Sequence, residues 1–352
     1  MYINFLKEYQ VKKVKKLEKL QLEEWQRLWD ETDDVHFFNS PTYFMSFLET
    51  ASLEEYIVFF CYRKKELVAV LPLVWGRKFA VKVLMCADNF GGSIDRSSLC
   101  LKVGDPRILE TIIKSVTEEE NLFLAEIEAR HLNLFMSGDK SIIKNCSFEF
   151  SCKSPRLVLG RDLFENMSKK TKKKFKKKLT KSEPLVEFEF HRKSETADFE
   201  KMIAIEDKSW KGKKKISLFG REITRKVYAS WIKNNNENVG IAFLKKDDQE
   251  IAYLFGIFSK ETFLITNSAF VSEFGKITPG NILVFHTLRH LQSLGIRLVD
   301  FSVGDSRWKR EFGNQLLKQY NFYFSKSKAV CLLWRVLLFC KRTVKRALKS
   351  KC

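Results

Sequence analysis

The chain has 352 residues, 45% of them hydrophobic, with 31 Phe and 7 Trp, which is too long for one ordinary domain and too apolar for disorder. Two domains and two cores are expected. Its net charge of +20 is concentrated in Arg161–Lys181, with a net +8, and Cys331–Cys352, with a net +7, which points to two basic helices rather than a broad nucleic-acid face. No run approaches the roughly 20 apolar residues of a spanning helix. Met1–Lys16 alternates apolar and basic residues without the apolar core of a secretory signal, so a cytoplasmic protein is expected. The eight cysteines are scattered without Cys-x-x-Cys pairs or Cys/His clusters, and read as reduced thiols with no metal site.

In chain order, helical periodicity over Leu17–Trp29 and Pro41–Thr50 leads into three strand-like runs, Tyr56–Arg63, Glu66–Trp75 and Val81–Ala87. Lys64-Lys65 joins the first two, and a Gly91-Gly92 loop follows the third. A helix opening at Asp105-Pro106 and a strand over Leu122–Ala129 close the first half.

The second half repeats that order. A strand over Leu185–His191 and helices over Ala197–Trp210 and Glu222–Lys233 precede three strands, Gly240–Lys245, Glu250–Ser259 and Thr262–Phe270. A helix over Pro279–Ser293, stopped by Gly295, leads to a strand over Arg297–Val303. The lysine-rich stretch Lys169–Lys181 carries Phe164, Thr171, Phe175 and Leu179 at helical spacing and reads as an amphipathic helix. The apolar run Ala329–Cys340 continues into Lys341, Arg342, Lys345, Arg346 and Lys349. On a helical wheel its apolar and basic residues take opposite faces, which suits either an interfacial helix or one packed on the body.

Two local features carry chemistry. In Thr278-Pro279-Gly280-Asn281, Thr is a suitable N-cap, Pro suits the first helical position and Gly admits a ligand to the backbone, so free N–H groups and the helix dipole favour a phosphate. The next strand ends in Asp300-Phe301-Ser302-Val303-Gly304-Asp305, followed by Trp308-Lys309-Arg310. Asp300 or Asp305 is placed to orient an acceptor or take its proton, and Lys309 or Arg310 to hold a phosphate or polarise a carbonyl. Ion pairing among these charges is the plain alternative. His286 and His290 share a helix face without a supporting Glu or Cys, and read as packing residues.

These motifs, with Phe38-Asn39-Ser40-Pro41, Ala69-Val70-Leu71-Pro72-Leu73, Ser209-Trp210-Lys211-Gly212 and Ile251-Ala252, resemble in order and spacing the GNAT-like acetyltransferases of the CelD (cellulose-biosynthesis) and BioF-like type, relatives of the Fem-type peptidyltransferases. The resemblance implies an α/β fold of two tandem GNAT-like domains, residues 1–160 on the acceptor side or structural and residues 161–328 catalytic, followed by the basic C-terminal helix of residues 329–352. It implies an acyl-CoA donor, with Asn267, Ser268, Thr278, Pro279, Gly280 and Asn281 binding it. Asp300, Asp305 and Lys309 would carry the chemistry, and Trp210, Lys211, Trp308 and Arg310 would hold the acceptor. The Gln/Arg-x-x-Gly-x-Gly/Ala loop of ordinary GNAT enzymes is absent, with Thr278-Pro279-Gly280-Asn281 in its place. The expected reaction is transfer of an acyl group to an amine or hydroxyl of a saccharide or cell-envelope precursor. A Fem-type transfer from aminoacyl-tRNA, or a non-catalytic membrane or nucleic-acid module, stands as the alternative. Peripheral contact with anionic membrane through the C-terminal helix is expected as well.

Overall fold

The computed structural model describes residues 8–33, 35–87, 99–102, 104–129, 146–160, 162–165, 167–234, 236–304 and 306–349; the Gly91-Gly92 loop and Asp305 lie outside them. The first half runs β1 (Tyr9–Val14), α1 (Lys19–Glu31), α2 (Pro41–Ala51), β2 (Tyr56–Arg63), β3 (Glu66–Lys78), β4 (Val81–Met85), β5 (Cys100–Leu101), α3 (Pro106–Thr117), β6 (Ala125–Ala129) and β7 (Cys146–Val158). The second runs α4 (Lys169–Ser182), β8 (Glu187–Arg192), α5 (Thr196–Asp207), α6 (Trp210–Lys213), α7 (Glu222–Asn234), β9 (Val239–Lys246), β10 (Gln249–Ser259), β11 (Thr262–Phe270), α8 (Pro279–Ser293), β12 (Leu298–Asp300), α9 (Arg307–Phe312), β13 (Gln315–Phe324) and α10 (Lys328–Lys349).

Local chemistry accounts for the element ends. Ser40 accepts from the Tyr43 N–H and Asp105 from the Arg107 N–H, each followed by a proline at the first helical position of α2 or α3. Ile108, Leu109, Ile112, Ile113 and Val116 line the buried stripe of α3. The β9–β10 turn places both Asp247 and Asp248 in the left-handed region, with φ of 52° and 61°, the backbone twist that a two-residue hairpin requires.

All described strands join one mixed sheet in the order β1-β2-β3-β4-β6-β13-β7-β12-β11-β10-β9-β8, with β5 on β3. The order is symmetric about the β13–β7 pair. Each side is an antiparallel meander whose last strand pairs in parallel with the strand that follows a helix, β4 with β6 and β11 with β12. The two halves exchange their closing strands: β7 lies beside β12, and β13 lies beside β6. β7 and β13 then pair antiparallel along nearly their whole lengths, from Gln315↔Arg156 to Phe324↔Cys146, which makes the sheet continuous.

Three apolar clusters replace the two cores expected. One packs α3 on the first half of the sheet and one packs α4 and α8 on the second. The third is shared by both halves on the opposite face, where Phe37, Phe38 and Tyr43 meet Trp231 of α7 at centroid distances of 5.9, 5.9 and 6.2 Å.

Candidate active site

The β11–β12 pairing is short. It extends only from Thr262↔Leu298 to Leu264↔Asp300. Just beyond it β11 bulges: Phe255 of β10 faces Asn267 and Gly256 faces Ile265, leaving Thr266 as the extra residue. From there Ile265–Phe270 keeps β10 as its strand partner and has none on the other side among the described residues. The chain leaving β12 turns toward β7, with the Phe301 N–H on the Pro155 carbonyl at 3.0 Å and the Gly304 N–H on that of Lys153 at 3.0 Å. The two parallel strands thus splay at their carboxyl ends, where parallel-sheet folds place ligands. The wedge is a crevice of about 430 Å³, within the usual range for a ligand site.

The start of α8 forms one wall. Thr278 does not cap it as expected. Its backbone is left-handed, with φ of 55°, and its side chain makes no capping bond. That conformation is costly for a β-branched residue. Pro279 has no N–H, and the Asn281 N–H is taken by the Thr278 carbonyl at 3.1 Å. Gly280 lines the crevice, and its N–H is among those that the first turn of a helix leaves without an intrahelical acceptor. A Cβ there would stand 3.3 Å from the Phe270 ring, so glycine keeps the approach open.

The opposite wall is α6. Ser209 caps it, accepting from the N–H groups of Lys211 and Gly212 at 3.1 and 3.4 Å. Gly212 lies so close to the end of α5 that a Cβ would fall 2.2 Å from the Asp207 carbonyl oxygen. This turn carries Lys211 into the crevice, where its Nζ donates to Asn267 Oδ1 and to the Ser268 carbonyl, both at 2.8 Å. Asn267 Nδ2 donates in turn to Glu206 Oε2 at 2.9 Å and to the Tyr253 hydroxyl at 2.8 Å. The Tyr253 hydroxyl donates to Glu206, whose other oxygen accepts from Ser217 Oγ at 2.8 Å and from the Leu218 N–H at 3.0 Å. Glu206 is fully buried, and both of its carboxyl oxygens are hydrogen-bonded, as a polar group in the interior requires. Burial pulls Lys211 below the ordinary lysine value, partly offset by the attraction of Glu206. Burial and Glu206 together push the Tyr253 phenol well up, so it stays a donor.

Phe301, Ser306, Trp308 and Lys309 form the third wall. Trp308 packs edge-on to Phe301 at 5.4 Å, and Lys309 Nζ donates to the Val303 carbonyl at 2.6 Å. Trp210, 47% exposed, stands at the mouth.

Of the residues singled out from the sequence, Trp210, Lys211, Asn267, Ser268, Gly280, Asn281, Trp308 and Lys309 come together around this crevice. Arg310 is exposed and does not line it, and Thr278 and Pro279 act by shaping the helix start. Asp300 stands on the other side of the strand. On a strand, neighbouring side chains point to opposite faces. Phe301 enters the crevice, while Asp300 faces a small cavity with Asp33, His36 and Arg156. Its carboxylate pairs with Arg156 and accepts the Ser302 N–H. Asp305 lies outside the described residues.

Sequence reasoning did not single out Glu206, Tyr253 or Ser306. A signal existed for the first: Glu206 falls on the helical stripe of Phe199, Met202 and Ile205, where an acid is out of place. His286 and His290 pack against Phe188 and Phe190, with centroids 5.4 and 4.5 Å apart, away from the crevice.

Residues 169–310 match the family profile described as the acetyltransferase (GNAT) domain, a span that contains the whole crevice. A solved structure titled FemX is similar with a TM-score of 0.63 at 9% identity, over 88% of this chain and 96% of that one. The C-terminal domain of a putative lysylphosphatidylglycerol synthetase from Agrobacterium fabrum is similar with a TM-score of 0.55 at 12% identity, over 90% and 95%. L-PGS from Bacillus licheniformis is similar with a TM-score of 0.52 at 13% identity, over 89% and 99%. At these identities the likeness is one of fold. No curated protein matches the chain significantly in sequence.

Proposed function

We propose that this chain, whose residues 169–310 match the GNAT-type acetyltransferase domain profile, transfers an acyl group from acyl-CoA to an amine or hydroxyl. The splayed β11–β12 pair is the observation that carries this reading. The unpaired edge of Ile265–Phe270 offers main-chain donors and acceptors in a strand-like row, the chemistry that suits the amide arm of coenzyme A. The Gly280 N–H at the positive end of α8 suits its phosphates.

The acceptor then enters from the α6 side, past Trp210, whose exposed ring offers a stacking face for a sugar. A saccharide or other cell-envelope precursor is the acceptor class we propose. With Asp300 facing away, the proton falls to Lys211. A neutral amine has two N–H groups and one lone pair, and the Asn267 and Ser268 oxygens take two N–H groups. The lone pair is left for the incoming nucleophile, and burial favours the neutral form. As the nucleophile attacks the thioester carbonyl, its proton passes to Lys211 Nζ. The C–S bond breaks, the thiolate leaves, and Lys211 returns the proton to it. Asn267, held by Glu206 and Tyr253, fixes the lysine in place.

The test is release of free thiol from acetyl-CoA by the purified full-length chain, with a panel of amine and sugar-nucleotide acceptors. Acceptor-dependent release is expected. No release with any acceptor would overturn the reading, and transfer that requires charged tRNA would replace the donor.

A further inference from the structure

The helix α10 buries one side and exposes the other. Cys331 and Trp334 are buried against the body, with Val330 and Leu338 partly buried beside them, and Phe79 meets the Trp334 ring edge-on at 5.4 Å. Leu332, Leu333, Val336, Leu337 and Phe339 face away and are 40–68% exposed. Their spacing makes one continuous apolar stripe, a feature that soluble surfaces avoid unless something covers it. The sequence that follows, residues 341–352, holds six basic residues and no acid.

We propose that α10 docks the protein on an anionic phospholipid surface, with the apolar stripe seated among the acyl chains and the basic segment against headgroup phosphates. The charge decides the occupant. A second copy of α10 has no Asp or Glu with which to meet that basic segment, whereas an anionic bilayer presents both an apolar interior and a negative rim. No helix among the described residues is long and apolar enough to cross a membrane, so α10 lies along the surface over about 33 Å. The docking stands independently of the transfer chemistry.

The experiment is flotation of the full-length protein with vesicles of phosphatidylcholine alone, or of equal parts phosphatidylcholine and phosphatidylglycerol. The protein is expected to float with the anionic vesicles and to be released by high salt. The double variant Leu333→Ser, Phe339→Ser should bind at least about tenfold more weakly at low salt, with unchanged thermal melting because both side chains are exposed. The pair Lys345→Glu, Arg346→Glu should lose the preference for anionic vesicles. Absence of flotation by the native chain, or equal binding by the serine variant, would overturn the proposal. So would a dimer in size-exclusion chromatography that the serine variant splits while neither form floats.

Discussion

Arg156 on β7 and Asp300 on β12 form an ion pair at 2.8 Å, with side chains only 12% and 3% exposed, that ties the exchanged strand of the first half to the second. Breaking such a buried pair leaves one charge uncompensated, at a cost of about 3–5 kcal/mol. Asp300→Asn keeps the shape and the acceptor for the Ser302 N–H but leaves Arg156 without its counter-charge, so it is expected to melt well below the native protein. Its folded fraction should retain transfer within an order of magnitude. Native-like melting with transfer lost by roughly a hundredfold or more would instead return Asp300 to the chemistry.

Lys211→Met is expected to lower the transfer rate by about 10²–10⁴-fold while the fold persists, because the oxygens it leaves behind face the crevice. In the native enzyme the rate should rise with pH as Lys211 loses its proton, along a limb below the ordinary lysine range. Lys211→Arg keeps the charge without a removable proton and should be slow at every pH. A rising limb that persists in Lys211→Arg would assign the proton transfer elsewhere.

Gly212→Ala tests the contact that aims the lysine. A Cβ 2.2 Å from a backbone oxygen forces α6 away from α5. Loss of about 1–3 kcal/mol of stability is expected, together with at least a tenfold drop in kcat. Gly220→Ala, with nothing within 4 Å of the added carbon, is the control that should change neither.

Burial lowers His286 and His290 below the ordinary histidine value, so the unfolded chain takes up protons first as pH falls through about 6.5. Stability is therefore lost as the pH falls below that point, and the melting temperature should fall with it. Replacing both histidines by glutamine should flatten that slope. An unchanged slope would place its origin in other groups.

The meanders were legible because Val, Ile and Phe runs broken by short polar turns announce strands from local composition alone. Thr262–Phe270 and Pro279–Ser293 fall where the spacing put them. β7 and β13 went unread: each mixes polar and apolar residues, and β7 carries Pro155. Their stability comes from pairing with each other, Phe148 opposite Phe322 for example, a partnership between residues 174 positions apart that no local window contains. Glu206 was hidden for a related reason. Its burial is tolerated because Tyr253, Asn267 and the adjacent pair Ser217 and Leu218 converge on it from three other segments.

Sequence alone determined the repeated element order, the glycine at the head of α8 and the Trp-Lys-Gly turn, since turns, caps and periodicity are written in neighbouring residues. The tertiary structure decided which side of β12 each residue takes, and so removed Asp300 from the crevice and brought Lys211 into it. Those outcomes depend on the length of the β11–β12 pairing, the bulge at Thr266 and the exchange of closing strands. Each is a property of long-range packing, where a displacement of one residue turns a side chain from one face of a sheet to the other.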